Sequence, residues 1–109
     1  MNLSLRQLRA FAAVAGCGSF TGAARQLHLT QAAVSVLVRE LESELGVRLF
    51  DRSTRKVALS EAGVEFHPQA QRVLRELEEA VARIGELRDK KRGLLRVAAS
   101  GRGTLGQVD

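Results

Sequence analysis

Apolar residues recur at intervals of three and four along most of the chain, and the interruptions divide it into elements. Leu5, Leu8, Phe11, Ala12 and Ala15 form the first such face. Ser4-Leu-Arg-Gln7 has the form of a capping box, and Leu3 and Leu8 stand at the two positions of a hydrophobic staple, so a first helix is expected over residues 5–15. Gly16 and Gly18 end it, because glycine takes the left-handed cap conformation cheaply. Ser19 or Thr21 then caps a short second helix whose inner side is Ala23, Ala24 and Leu27. A third begins after Thr30, and Val34, Leu37, Val38, Leu41 and Leu45 carry one stripe to Gly46, a length of about 22 Å at ~1.5 Å per residue. Only His28, Leu29 and Thr30 separate the second helix from the third. So short a connection forces a sharp angle, which is the geometry of a helix-turn-helix. Ala24 is small where two helix axes cross, and Leu27, Leu29, Val34 and Leu37 point inward, as that unit requires. His28 holds the turn where glycine is more usual. Histidine visits left-handed backbone more readily than most residues, so the expected role is that of a turn residue, with a phosphate contact as the alternative.

Past Gly46 the period changes. Val47 to Arg52 and Val57 to Leu59 read as two strands joined by the polar tip Ser53-Thr54-Arg55-Lys56. Beside a helix-turn-helix, Arg52, Arg55 and Lys56 can reach phosphates or an adjacent minor groove; alone, the tip would be a solvated hairpin. Ser60 and Glu61 open the longest element, with Leu59 and Val64 as another staple. Phe66, Ala70, Val73, Leu77, Ala80, Ile84 and Leu87 follow in a heptad seam, widened on one side by Leu74 and Val81. Pro68 removes one backbone bond and is expected to bend this helix near Val64, at ~3 kcal/mol in an unkinked context. Lys90-Lys91-Arg92-Gly93 has a helix-ending pattern. Residues 60–91 would extend about 48 Å, against a radius of gyration of ~13 Å for a compact 100-residue domain. The overhanging stripe requires cover, either from a second copy of the chain, which makes a homodimer, or from a domain outside this sequence.

Charge narrows the choice of partner. The 109 residues carry a formal charge of +5, and the excess lies in residues 1–59, with eight basic and four acidic side chains, whereas residues 60–92 hold seven of each. An acidic partner is favoured. Apolar runs fall well short of the ~18 residues of a spanning helix and no secretory signal opens the chain, so a cytoplasmic protein without membrane contact is expected. A single cysteine, Cys17, excludes an internal disulfide and is expected to be a small buried side chain at a helix end. No metal-ligand spacing is present, and no cofactor is expected. An enzyme would need convergent titratable groups, yet the glycines follow no phosphate-loop pattern, and His67 beside Pro68 has no partner at catalytic spacing; it reads as structural. A pure interaction module would leave the basic wing and the helix-turn-helix without a purpose. A non-enzymatic, double-stranded DNA-binding module is therefore expected, mainly α: three helices plus a two-stranded β wing, then a long dimerisation helix.

Leu5-Arg-Gln-Leu8 with Phe11, Gly18-Ser-Phe-Thr21 with Ala23-Ala24, Leu27-His-Leu-Thr-Gln31 with Ala33-Val-Ser35, the run from Leu41 to Arg52 and Leu59-Ser-Glu-Ala-Gly63 resemble the amino-terminal domain of LysR-type transcriptional regulators. The resemblance covers residues 3 to about 92. It implies a winged helix-turn-helix over 1–59, a linker and dimerisation helix over 60–92, and binding to an inverted-repeat operator, with a tetramer open to the full-length form. Residues 93–100 resemble the first strand of the family's separate effector-sensing domain. The rest of that domain is absent from the sequence, so residues 93–109 are expected to be disordered.

The same resemblance places Gln31, Ala32, Ser35 and Val36 at base edges in the major groove, with Thr30 at the cap and Arg39 a turn further on, nearer phosphates. Gln31 has the donor and acceptor that adenine needs; Ser35 can donate or accept; Ala32 and Val36 offer apolar contact, for example to a thymine methyl. The family often has proline at Ala32 and a polar or basic residue at Val36, so this copy is expected to read fewer bases or different ones. Ser19 and Thr21 would hold phosphate through hydroxyls and amides, and Arg52, Thr54 and Arg55 would anchor the wing. Gln31 and Ser35 have an ordinary solvent-exposed reading too, as do Arg6, Arg9, Arg25 and Arg48, which are not assigned to the site. The dimer seam comprises Phe66, Ala70, Val73, Leu74, Leu77, Ala80, Val81, Ile84 and Leu87.

Overall fold

The computed structural model describes residues 1–51 and 56–101, with side chains as far as Gly93. Helix α1 spans Leu5–Cys17, α2 Phe20–Leu27, α3 Gln31–Leu45 and α4 Glu61–Gly101, and two short strands, β1 (Phe50–Asp51) and β2 (Ala58–Leu59), lie between α3 and α4. The strands pair antiparallel, Phe50 opposite Leu59 and Asp51 opposite Ala58. This is the expected mainly helical fold with a two-stranded wing.

Local chemistry fixes the helix ends. At the start of α1 both halves of the capping box form: Ser4 Oγ accepts from the Gln7 amide, and Gln7 Oε1 accepts from the Ser4 amide. Of the two candidate caps for α2, Ser19 is the one used, accepting from Gly22 N at 3.0 Å. The turn after α2 is closed by His28 at φ 58°, with its own amide on the Arg25 carbonyl and the Leu29 amide on the Ala24 carbonyl. This paired arrangement satisfies the last carbonyls of α2 and delivers the chain to Thr30, which caps α3 by accepting from Ala33 N. His28 takes the left-handed turn conformation expected of it.

Residues 1–74 form one compact unit. Its centre is Phe11, Val14, Val34, Val38, Leu41, Leu49 and Phe50, all essentially without exposure, joined by Ala10, Ala23 and Ala70. The Phe11 ring packs against Phe50, Phe66 and His67, the last edge-on at 5.8 Å, and Phe20 meets Phe50. His67 thus serves the core, with a buried Nε2 that has no hydrogen-bond partner among the described residues. Residues 75–109 form the second unit, whose described part is the remainder of α4.

Several expectations need correcting. Helix α1 continues two residues beyond the expected stop, through Gly16, and ends at Gly18 in the left-handed conformation (φ 68°). Cys17, on the last turn, is consequently exposed, not buried, and its thiol donates to Gln26 Oε1 at 3.2 Å. The first wing strand is shorter than Val47–Arg52, because the backbone ahead of Phe50 is engaged elsewhere: Val47 N donates to the Glu42 carbonyl and Leu49 N to the Glu42 carboxylate. Helix α4 does not stop at Gly93, and residues 93–100 do not form a strand; the helix runs through Pro68 and Gly93 to Gly101. A lone strand has no neighbour to satisfy its backbone, whereas a helix satisfies each amide locally, and one glycine costs only ~1 kcal/mol in a helix interior. Residues 102–109, included in the expected disorder, lie outside the described residues.

Candidate nucleic-acid interface

The leading end of α3 presents one exposed side, opposite the side that packs in the core. Thr30, Gln31, Ala32 and Arg39 are exposed, Ser35 is half-buried, and Val36 is 48% exposed, unusual for a β-branched aliphatic side chain. The helical period explains this division. Gln31, Ser35 and Arg39 are spaced by four and stack along one row; Ala32 and Val36 form the adjacent row; Val34, Val38 and Leu41 are carried to the opposite, buried side.

Two hydrogen bonds organise the exposed side. Arg39 Nη2 donates to Ser35 Oγ at 3.2 Å, leaving the serine proton free to donate outward. Thr21 Oγ1 donates to Gln31 Oε1 at 3.3 Å, tying the first turn of α2 to the first residue of α3. Ser19 is half-buried and its oxygen is occupied by its cap bond. The first turns of α1, α2 and α3 contain no acidic residue, in contrast to α4, which has Glu61 there. No carboxylate in their own first turns therefore offsets the partial positive charge at the start of α2 and α3. Together these atoms form a surface of outward donors, flanked by two small apolar side chains, at the positive ends of two helices.

The wing is fixed by residues that the sequence reading did not single out. Glu42 is 8% exposed, and its Oε2 accepts from Leu49 N at 2.8 Å and Phe50 N at 3.3 Å, pinning β1 to the end of α3. Ser60 Oγ donates to the Arg48 carbonyl and accepts from Gly63 N, and its amide donates to Leu49 O. Gly63 is buried beneath that same Leu49 carbonyl, and a Cβ added there would overlap the oxygen. A signal for Glu42 was present: it follows Val38 by four residues at the edge of the apolar stripe, where a carboxylate needs a buried donor. Of the expected wing contacts, Arg52, Thr54 and Arg55 lie outside the described residues.

The expected dimer seam divides between the two units. Ala70 is 1% exposed within the core of residues 1–74, and Phe66 and Leu74 pack against it, whereas Val73 is exposed. In the second unit Ala80, Val81, Ile84 and Leu87 are exposed and Leu77 is half-buried.

Residues 5–64, more than half of the chain, match the family model described as a bacterial regulatory helix-turn-helix protein of the lysR family. The chain belongs to the LysR family. Among its relatives is a RuBisCO operon transcriptional regulator from Allochromatium vinosum, 47% identical over 103 residues, a match covering 92% of this chain and 33% of that protein. The chain thus spans about a third of that relative's length. Among solved structures it is similar to BenM_DBD in a complex with catB site 1 DNA, at 34% identity and a TM-score of 0.74 over 77% of this chain and 94% of that one. It is also similar to Vibrio fischeri DarR in complex with DNA, at 29% identity and a TM-score of 0.76 over 82% of this chain and 30% of that one. The likeness to LysR-family structures includes three helices, a paired wing and a long following helix, so the family resemblance in the sequence and the fold agree. Among the described residues no helix is long and apolar enough to cross a membrane, and no cluster of His, Cys, Asp and Glu is able to hold a metal ion.

Proposed function

We propose that this chain is the DNA-binding part of a LysR-type transcriptional regulator and binds double-stranded DNA sequence-specifically, with α3 in the major groove. The observation that carries the reading is the exposed row Gln31, Ser35 and Arg39 beside Ala32 and Val36, on the one side of α3 that the core does not use. Gln31 and Ser35 meet base edges, Ala32 and Val36 supply apolar contact, and Arg39 lies nearer phosphate. Ser19 and Thr21 lie at the opening of α2, where backbone amides face a phosphate, and Arg52, Thr54 and Arg55 anchor the wing on the backbone of the duplex. The complexes of BenM_DBD and DarR with DNA support this reading by likeness.

The protein acts as a homodimer on an inverted repeat, with residues 1–59 as the winged domain, 60–92 as the linker helix and 93–109 as the start of an effector-binding domain. Support for the dimer comes from Val81, Ile84 and Leu87, which are 63%, 65% and 51% exposed within the single chain. The regulator acts in the cytoplasm, without catalytic activity, resident metal or cofactor. Selection from a random duplex pool tests the central reading. One sequence family should be enriched, Gln31→Ala should relax base choice at one position by about fivefold or more, and Arg55→Ala should weaken all duplexes alike. Affinity should fall with rising salt at a log–log slope near −0.9 per phosphate neutralised; a flat response would favour a protein-interaction module instead.

A further inference from the structure

Thr21 is exposed, stands second in α2 and meets the first residue of α3 through a single hydrogen bond, Oγ1 to Gln31 Oε1 at 3.3 Å. A threonine hydroxyl has one proton, and here it is directed at the glutamine carbonyl. Phosphate oxygens are acceptors only, so in this geometry the hydroxyl cannot also donate to a phosphate. Its place in the helix favours the same outcome: α2 begins at Phe20, so no earlier carbonyl of its own helix competes for the proton.

The consequence falls on Gln31. A free glutamine amide at the start of a helix turns about its side-chain bonds and can offer either its oxygen or its nitrogen at a given point. The two senses suit different bases, since adenine presents an acceptor and a donor in the major groove and guanine presents two acceptors. In the structure the Thr21 proton lies opposite Oε1, which turns that oxygen towards α2 and sets the amide in one of its two senses. The oxygen keeps a second lone pair and Nε2 keeps both protons, the set that a two-bond contact with adenine N6 and N7 uses.

We propose that Thr21 is a positioning residue for base reading: its hydroxyl orients the Gln31 amide and thereby sharpens base choice at the position Gln31 reads, instead of gripping a phosphate. The proposal rests on α3 being the base-reading helix. It makes specificity at that position a joint property of α2 and α3.

The test repeats the random-duplex selection on the whole chain with T21V, T21S, Q31A and the T21V/Q31A pair, reading the ratio of preferred to next-best base at the position that Q31A relaxes. T21V should lower that ratio by about fivefold, as loss of one oriented contact implies, and T21S should restore it. On the Q31A background T21V should have no further effect, because the two residues act as one unit. An unchanged ratio in T21V, or an equal weakening of all duplexes on both backgrounds, would overturn the positioning role while leaving the DNA-binding reading intact. If the parent chain enriches no sequence, the base-reading assignment of α3 fails and this proposal fails with it.

Discussion

Residues 1–74 and the helical stretch from Arg75 to Gly101 carry the same kind of apolar periodicity and meet opposite fates. In the first, the stripes of α1 and α3 and the first turns of α4 find cover in one another, and Phe11, Leu41 and Leu49 reach zero exposure. In the second, Val81, Ile84 and Leu87 recur at the same spacing and stay open to solvent. The difference teaches that a three-and-four repeat reports a face and says nothing of what covers it. Burial at ~25 cal/mol per Å² stabilises only the region whose partner elements lie in the same chain. Residues 1–74 should therefore fold on their own cooperativity, and the later helix should depend on association.

The sharpest way to break this contrast is at the centre of the packed region. Phe11→Ala removes the ring shared by Phe50, Phe66 and His67 and should cost about 4 kcal/mol, seen as a large drop in the denaturation midpoint. Glu42→Ala leaves the Leu49 and Phe50 amides without their buried acceptor and should cost about 3 kcal/mol, with loss of wing protection in amide exchange. A milder loss, about 1 kcal/mol, is expected for Thr30→Ala, which deletes the cap of α3. Ile84→Asp with Leu87→Asp should leave the unfolding of residues 1–74 unchanged within about 0.5 kcal/mol, yet shift sedimentation at micromolar concentration towards monomer. If that pair instead destabilised the packed region, the two stretches would share one core and the contrast would be wrong.

What was legible in the sequence was local. The capping box at Ser4 and Gln7, the cap at Thr30 and the left-handed exits at Gly18, His28 and Gly46 act over a few residues, and the structure bears them out. What escaped depends on distant partners. The spacing of Glu42 marks it as lying at the edge of the apolar stripe but does not name its donors, Leu49 and Phe50, and the sequence does not show that the Leu49 carbonyl lies against Gly63. Gly93 after Lys90-Lys91-Arg92 has the form of a stop, yet α4 continues to Gly101, because no proline follows it and Leu94, Leu95, Ala98 and Ala99 are good helix formers. In the candidate interface, Gln31, Ser35 and Arg39 come from the family resemblance, and their spacing by four puts them on one row. The bond that joins Gln31 to Thr21 does not, since it requires the turn to bring two helix starts together.

A crystal structure of the chain bound to its selected duplex tests the central claim most directly. The account predicts the first two turns of α3 in the major groove, with Gln31 and Ser35 within hydrogen-bond distance of base edges and Val36 against an apolar group. Finding the start of α3 directed away from the duplex, with bases met by another element or by none, would contradict it.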